Sequence, residues 1–546
     1  MSSFYRMLST RSELVWLGII SIIVIISRWW GRSLYLYNTD SVLYALALDK
    51  YDVSIQQPHP PGYALYILFT KPIYWLTGDA NTALIITSII FSVLAIYAVF
   101  YLAKKIAGVK IAWVSLGLLV FAPLFWFHGQ VAMNYVIELF FSAWAGYHIY
   151  QALINPTSPP LIKGRLGGDN RNLLWATIIL AVGGGFRPTL VIFMAPLWLW
   201  AMGREFSWRK LLINIGIVGG VTLAWVAPAA YLSGGYLKFW RAIVALFFTE
   251  SGIYDFSILA PNGWDNLVQH FRWILNHLSL NFGIVGGLVL VFLIYWLVPH
   301  WERRRIDWLK FKFFTFWITP ALLFYILVIF TMPGYLLIIL PALTILGAMA
   351  LVALVEQLAA IFPRAEAKRW PLKLILLIMI INLAVNLYVY LKPISFVEMQ
   401  RPVQGSIVRS NNLWTTLATT IHQDFPAETT IIGIDRPFVS WGLQHFQYYF
   451  PEYRVYSQII GGIYNPEHKN WFLAQNRKMS FVDRLEILPT DTKLIVLRTN
   501  WVKPEPPFSS FVLPNDLGFI AYYDLTNPDI RNLMDTMLSL GQNETQ

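Results

Sequence analysis

The sequence predicts an α-helical polytopic membrane protein of about eleven transmembrane helices, followed by an extracytoplasmic α/β domain. Hydrophobic residues make up 57% of the 546 residues and charged residues only 13%, whereas a soluble protein has about 25% charged residues. Long apolar runs dominate the chain up to residue 392, and shorter alternating stretches follow. The low charge excludes a disordered chain, and the absence of cysteine excludes disulfides, thiolate metal sites and a cysteine nucleophile.

The predicted spans follow from the length that a bilayer requires, about 20 mostly apolar residues for each helix. They lie near residues 13–30, 82–103, 110–128, 131–154, 173–187, 188–203, 211–232, 279–298, 313–331, 335–356 and 373–391. The first run is predicted to be a retained helix, because Ser27-Arg28-Trp29-Trp30 is a poor cleavage site for a signal peptide.

The basic residues of the loops predict the orientation of these spans. If the N-terminus is cytoplasmic, the cytoplasmic loops before residue 392 hold 20 lysines and arginines and the opposite loops hold eight. The positive-inside rule therefore places the C-terminal domain outside the membrane, which we expect to be a prokaryotic plasma membrane. The same distribution explains the net charge of +11, so the predicted partner is the lipid bilayer and not nucleic acid.

Two apolar segments in the outer loops are predicted to lie along the outer interface or to re-enter the membrane. Gly62–Gly78 is interrupted by Lys71-Pro72, and Leu237–Phe248 is too short to span. The predicted domains are residues 1–392, with outer loops 31–81 and 233–278, and residues 393–546.

The C-terminal region has the pattern of a small α/β domain. Strand-like runs lie at Thr430–Ile434, Lys493–Arg498 and Phe519–Leu525, and helical patterns lie near Asn411–Phe425 and Pro437–Phe450. It contains neither a dinucleotide-binding nor a P-loop motif, so nucleotide binding is not predicted.

The first outer loop concentrates ionisable residues beside the membrane, where polar groups are costly and call for an explanation. Residues 41–48 have a helical pattern with Asp40 at the N-cap position, and capping alone is one explanation of that carboxylate. His59-Pro60-Pro61-Gly62 predicts a rigid turn, which is either purely structural or holds the imidazole for metal binding or proton transfer.

These residues resemble the first-loop signature of the GT-C membrane glycosyltransferases, especially the protein mannosyltransferase and aminoarabinose transferase branch. The shared features are Asp40 after the first span, Tyr44 four residues on, Ala47 three beyond, and then His59-Pro60-Pro61. Residues 183–189, Gly-Gly-Gly-Phe-Arg-Pro-Thr, resemble the small-residue turn with a cation between two mid-chain helices. Residues 333–337 with Pro341 resemble a late Arg-Tyr-Leu-Leu motif.

The resemblance implies transfer of a sugar from a polyprenyl-phosphate donor to a lipid, glycan or protein acceptor at the outer face, with inversion at the sugar. Asp40 is the implied general base and Arg187 the implied phosphate ligand, with Arg241 and Arg272 in reserve. The residues implied to bind or position substrate are Tyr44, His59, Glu138, Glu250 and Tyr335; Asp255 is an alternative to Glu250.

Several positions depart from the family pattern. Ser41 stands where many relatives carry Glu, and Gly334 stands where Arg is common. Asn134 precedes Tyr135 where an acid is frequent, and Glu138 either replaces that acid or is a buried glutamate paired with His128 or His148.

A divalent metal is the one cofactor that the outer loop suggests. Asp49, Asp52 and His59 are candidate ligands for Mg²⁺, Mn²⁺ or Zn²⁺, although two acids three residues apart are also typical of a solvated helix face.

Two other functions stay open at the level of sequence. One is a membrane transporter or lipid flippase, and the other is a catalytically silent relative that binds glycan. The position of the ionisable residues in outer loops favours the enzyme, because transporters place them at mid-membrane depth.

Overall fold

The protein is described here by a computed structural model, which covers residues 2–155, 171–204, 206–248, 257–297, 307–329, 332–361, 370–394, 401–434, 443–456, 490–499, 509–512 and 519–543. Within these ranges the chain forms a large helical bundle and a five-stranded sheet near the C-terminus.

Within the described residues, the bundle contains fifteen α-helices in chain order. They are α1 (Ser2–Trp30), α2 (Thr39–Asp49), α3 (Ala64–Thr77), α4 (Ala80–Ala107), α5 (Val109–Leu119), α6 (Pro123–His128), α7 (Tyr135–Ile154), α8 (Arg171–Phe186), α9 (Thr189–Gly203), α10 (Trp208–Leu232), α11 (Tyr236–Phe248), α12 (Gly263–Leu297), α13 (Trp308–Leu327), α14 (Leu340–Ile361) and α15 (Trp370–Leu391). Short 3-10 helices lie at Val53–Ile55 and Pro333–Ile338.

Helices occupy each of the apolar runs predicted to span the membrane. Among the described residues, six helices are long and apolar enough to cross a bilayer: α1, α4, α10, α13, α14 and α15. Three shorter apolar helices are α5, α8 and α9. The chain is therefore a multi-pass membrane protein, while the count of eleven spans stays a prediction.

The centre of the bundle is the pair α4 and α7, which pack against each other; α5 and α3 flank α4, and α8 and α9 flank α7. The peripheral α10 has a different surface, with Leu212 65% and Leu223 64% exposed. Apolar side chains that face outward in this way are expected where lipid, and not water, is the solvent.

Helices α3 and α11 correspond to the two predicted interfacial segments. They have 14 and 13 residues, which at 1.5 Å per residue is too short for a hydrocarbon core of about 30 Å. Each exposes apolar side chains, such as Trp75 and Leu76 on α3 and Leu237 on α11. The opposite face of α11 packs through Phe239 against Val53.

The C-terminal region adds α16 (Gln404–Asp424), β1 (Thr430–Ile434), α17 (Leu443–Tyr449), β2 (Arg454–Tyr456), β3 (Leu494–Thr499), β4 (Ser509–Val512), β5 (Phe519–Asp524) and α18 (Pro528–Asn543). The strand order is β2-β1-β3-β5-β4, with β1 parallel to β2 and β3, and β5 antiparallel to β3 and β4. The buried face of α16, including Trp414 and Ile421, packs against Ile432 of β1 and Phe446 of α17.

Three strands of this sheet coincide with the strand-like runs of the sequence, whereas β2, β4 and α18 were not predicted. The helix predicted near Pro437–Phe450 corresponds to α17, and residues 437–442 lie outside the described residues.

Candidate active site

The aspartate of the first loop lies in the first turn of α2 and does not cap it. The cap is Asn38, which has extended backbone (φ −144°) and accepts a hydrogen bond from the Ser41 amide at 3.0 Å. The predicted N-cap at Asp40 is therefore wrong by two residues, because asparagine caps a helix as well as aspartate does. The Asp40 side chain is 37% exposed. Its carboxylate does not cap the helix, and the positive end of the helix dipole stabilises its negative charge.

His59 links this carboxylate to a tyrosine. Its Nδ1 lies 3.7 Å from Asp40 Oδ1, and its Nε2 lies 3.2 Å from the hydroxyl of Tyr63. The turn that carries it closes through a hydrogen bond from the Gly62 amide to the His59 carbonyl at 3.1 Å. Gly62 has φ +105°, and a Cβ there would meet the Tyr51 hydroxyl at 2.7 Å, so the position requires glycine.

Tyrosine rings form one wall around the histidine. The Tyr44 ring lies 5.4 Å from the rings of His59 and Tyr63 and 5.1 Å from the ring of Tyr66. Tyr44 is 1% exposed, so it is a buried support for the wall and not a freely accessible side chain. Tyr63 adopts a left-handed backbone (φ 42°), an uncommon conformation for a non-glycine residue that is often found at functional sites.

Arg187 lies in the tight connection between α8 and α9. Its guanidinium is held by Glu138 of α7 and by Asn134, the N-cap of α7. Nε donates to Glu138 Oε2 at 2.8 Å, and Nη1 donates to Asn134 Oδ1 at 2.8 Å. Thr189 donates its hydroxyl to the other oxygen of Glu138 at 2.7 Å. Among the described residues Nη2 makes no hydrogen bond, so it is available to a ligand.

The predicted histidine partners of Glu138 are wrong. His148 contacts Asn172, with 3.3 Å between Nδ1 and Oδ1, and the His128 ring packs 5.0 Å from the Tyr135 ring. Glu138 pairs with Arg187 instead because α7 packs beside α8 and α9, which brings the connection between them to its first turn.

Two tyrosines cover the guanidinium of Arg187. Its Cζ lies 4.3 Å from the centroid of the Tyr135 ring and 5.4 Å from that of Tyr335. A Cβ on Gly334 would lie 2.3 Å from Tyr135 Cδ2, so a side chain here would displace the ring. Glycine at this position thus permits the close packing of Tyr135.

The two halves of the site meet at His59. Burial lowers the pKa of the His59 imidazole below its ordinary value of 6.5; the Asp40 carboxylate opposes this shift and the Arg187 guanidinium adds to it. Both charges therefore act on one imidazole, and the structure brings Asp40, Tyr44, His59, Arg187 and Tyr335 into one cluster with Glu138 behind it.

The candidate metal ligands do not converge. Asp49 accepts a hydrogen bond from the Tyr74 hydroxyl at 3.0 Å, and Asp52 accepts from the amide and hydroxyl of Ser54 at 3.1 and 2.7 Å. Within the described ranges no group of three His, Cys, Asp or Glu side chains could hold a metal ion. The predicted set of Asp49, Asp52 and His59 is therefore corrected: Asp52 caps the short 3-10 helix, and Asp49 serves the contact between α2 and α3.

The other two arginines predicted as phosphate ligands lie on α11 and α12. Arg241 on α11 and Arg272 on α12 are exposed, and in the described part of the chain neither makes an ion pair with the cluster. Glu250 and Asp255 fall outside the described residues.

Four residues of the cluster were not assigned a role from the sequence: Asn134 and Thr189, which orient the ion pair, Tyr63, which contacts His59, and Tyr135, which covers Arg187. Tyr63 follows the rigid turn by one residue, and Thr189 follows Arg187 by two, so proximity to a recognised motif was the available signal.

Solved structures share this architecture. ArnT from Cupriavidus metallidurans bound to undecaprenyl phosphate aligns with a TM-score of 0.55 and 13% identity, over 94% of this chain and 98% of that one. The apo state of the same protein gives 0.54 and 12%, with the same coverage. The apo oligosaccharyltransferase of Archaeoglobus fulgidus gives 0.53 and 13%, over 88% of this chain and 69% of that one.

The chain thus has the fold of the GT-C membrane glycosyltransferases, and the resemblance implied by its motifs is confirmed. More particularly, residues 50–211 match the family described as Protein O-mannosyl-transferase TMEM260 N-terminal domain. No curated protein sequence matches the chain.

Proposed function

We propose that this protein transfers a sugar from a polyprenyl-phosphate donor to a hydroxyl or amine of a lipid, glycan or protein acceptor. The observation that supports the proposal is that the Asp40 carboxylate lies 3.7 Å from the His59 imidazole, which also feels the positive charge of Arg187, so a carboxylate and a cation lie near one side chain. The GT-C fold and the undecaprenyl phosphate bound to ArnT support a lipid-phosphate donor.

We propose Asp40 as the general base of this reaction. An acceptor oxygen or nitrogen forms a bond to the anomeric carbon while Asp40 takes its proton, and the bond from that carbon to the phosphate oxygen breaks. The polyprenyl phosphate leaves with the electron pair. A single displacement in which the acceptor attacks the face opposite the phosphate inverts the configuration at the anomeric carbon.

Arg187 is proposed to hold the departing phosphate through Nη2. Its other two nitrogens donate hydrogen bonds to Glu138 and Asn134, so the guanidinium is oriented before the sugar donor arrives. Because Glu138 already neutralises the cation, we attribute the effect to this oriented hydrogen bond more than to net charge. Tyr335 and Tyr135 keep the guanidinium plane in place.

The polyprenyl chain is proposed to lie along α3 and α11. Both helices are too short to span and expose apolar side chains, and α3 begins at the residue after Tyr63. Their apolar surfaces suit a ligand whose tail remains in the bilayer.

The loop charges support a cytoplasmic N-terminus and an extracytoplasmic location for the reaction and for the C-terminal sheet. We place the protein in a prokaryotic plasma membrane, where a polyprenyl-phosphate donor would be presented at the outer face.

The decisive experiment compares Asp40→Asn with Asp49→Asn in purified protein supplied with radiolabelled polyprenyl-phosphate sugar and with a membrane extract that provides lipid, glycan and protein acceptors. Both aspartates lie on α2, but only Asp40 contacts His59. We expect Asp40→Asn to abolish transfer and retain donor binding, and Asp49→Asn to behave like wild type. Unchanged transfer by Asp40→Asn rules out Asp40 as the base.

The wild-type protein in the same assay separates the other functions. Donor binding without transfer indicates a silent glycan-binding relative. Movement of the intact donor across a vesicle membrane, again without transfer, indicates a flippase.

A further inference from the structure

The segment that leads into the helix of Asp40 is held by the C-terminal region. This lead-in segment, residues 31–37, connects α1 to α2 and has no regular secondary structure of its own. Its backbone groups must therefore find partners elsewhere.

Both backbone polar groups of Leu36 bind side chains of α17. The Leu36 amide donates to the Tyr449 hydroxyl at 2.7 Å, and its carbonyl oxygen lies 3.1 Å from His445 Nε2, which carries the proton in this contact. Leu36 precedes the Asn38 cap by two residues and Asp40 by four. These two contacts therefore hold the backbone immediately before α2.

Helix α16 adds contacts nearer the start of the segment. The Leu34 amide donates to Asn411 Oδ1 at 2.8 Å, and Gln404 Nε2 donates to the Gly31 carbonyl at 3.0 Å. The Tyr35 ring packs edge-on against Tyr449 with 5.4 Å between centroids, and it lies beside the core of the C-terminal region.

Helix α17 also packs directly against α2. The same short helix thus contacts α2 and fixes the residues just before it. Since a shift of about 1 Å in a catalytic group can lower the rate about 10²-fold, we expect the loss of these contacts to slow the reaction.

We propose that Tyr449 and His445 are positioning residues for Asp40, so that the C-terminal region is a working part of the active site and not an attached domain. This inference rests on the proposed function, because it assigns Asp40 the role of base. Neither side chain touches the reacting atoms; each acts through the Leu36 peptide.

The test compares Tyr449→Phe with Tyr453→Phe in the full-length protein. Tyr449→Phe removes only the hydroxyl that binds Leu36. Tyr453 is the matched control, because its hydroxyl donates to the carbonyls of Ile421 and Phe425 within the C-terminal region. We expect Tyr449→Phe to lower kcat about tenfold with donor KM changed less than about twofold, and Tyr453→Phe to change neither.

A second measurement does not depend on catalysis. Hydrogen exchange of a peptide that contains Leu36 should be faster in Tyr449→Phe than in wild type and unchanged in Tyr453→Phe. For His445, the Gln variant can still donate to the Leu36 carbonyl and should retain kcat, whereas His445→Leu should not.

The results separate the two proposals. If wild type transfers sugar and Tyr449→Phe keeps the wild-type kcat, the positioning role is overturned and the proposed function stands. Equal losses in Tyr449→Phe and Tyr453→Phe also overturn it, because they indicate general destabilisation. If wild type transfers no sugar, the proposed function fails, while the exchange experiment still reports whether α17 holds the segment.

Discussion

Arg187 donates from Nε to Oε2 of Glu138 across 2.8 Å, and the two side chains are only 7% and 0% exposed. The carboxylate thus serves as a buried counter-ion, and it fixes the guanidinium plane. Removing one member of such a pair leaves an uncompensated buried charge, which costs more than the pair itself contributes.

Glu138→Gln should therefore destabilise the protein by about 3–5 kcal/mol, because Arg187 loses its counter-ion in a buried position. The thermal unfolding midpoint in detergent measures this loss. Glu356→Gln is the control, since Glu356 pairs with Lys110 and is 60% exposed, and its removal should cost no more than about 1 kcal/mol. Equal midpoints for the two variants would contradict the buried pair.

Arg187→Lys should lower kcat about 10²- to 10³-fold under the proposed function. A lysine has no planar fork, so one ammonium cannot serve Glu138, Asn134 and a phosphate together in this geometry. The measurement is single-turnover transfer with saturating donor. Arg454→Lys, which alters an ion pair of the C-terminal sheet, should leave the rate unchanged, and a wild-type rate for Arg187→Lys would remove Arg187 from the mechanism.

Gly334→Ala should destabilise the protein by about 1–3 kcal/mol and reduce transfer, because its Cβ would clash with the Tyr135 ring that covers Arg187. Gly220→Ala on α10 is the matched change, since among the described residues no atom outside the neighbouring backbone of its own helix would lie within 4 Å of the added Cβ. In a helix interior alanine is favoured, so the control should be neutral or stabilising. Unfolding midpoints and transfer rates of both variants test the packing.

The buried imidazole of His59 should make stability fall in acid. Its pKa is lowered below the ordinary 6.5, so below that pH the unfolded chain takes up a proton that the folded state resists. The contribution of the neutral His59 imidazole to the free energy of unfolding is therefore fully present above about pH 6.5, and it declines as the pH falls towards the lowered pKa of the folded state. Unfolding midpoints at about pH 7.5 and about pH 5.5 should differ less in His59→Gln than in wild type; an equal difference would show that His59 does not titrate this way.

The proposed groove for the polyprenyl chain predicts an effect on donor affinity alone. Replacing Leu68 of α3 and Leu237 of α11 by Gln removes exposed apolar surface, so donor KM should rise about tenfold with kcat retained. Leu533→Gln on α18 is the control, because it alters an exposed leucine of the C-terminal region. Unchanged donor KM in the double variant would exclude α3 and α11 as the binding surface.

The predictable parts of the fold depend on local apolar pattern. Thr430–Ile434 is rich in β-branched residues and forms β1 with those bounds. In contrast, β2 has only three residues and β4 begins with two serines, so neither carries an apolar run that identifies a strand.

The site divides in a similar way. Asp40 and His59 lie in one loop, so the order of the motifs predicts that they lie close together. In contrast, Arg187, the ion-pair partner of Glu138, lies 49 residues away along the chain, and the pairing depends on how α7 packs. The cap of α2 could not be assigned because Asn38, Asp40 and Ser41 are all favourable cap residues, and only the backbone angle at Asn38 decides.

Helix α3 starts directly beyond Tyr63, and its outward surface includes Leu76, which is 88% exposed. Under the proposed function a donor that travels along this surface never leaves the plane of the bilayer, so encounters are set by its surface density. Adding inert lipid at constant molar donor should therefore slow the reaction by two-dimensional dilution, and kinetic constants for this protein are properly expressed as mole fractions.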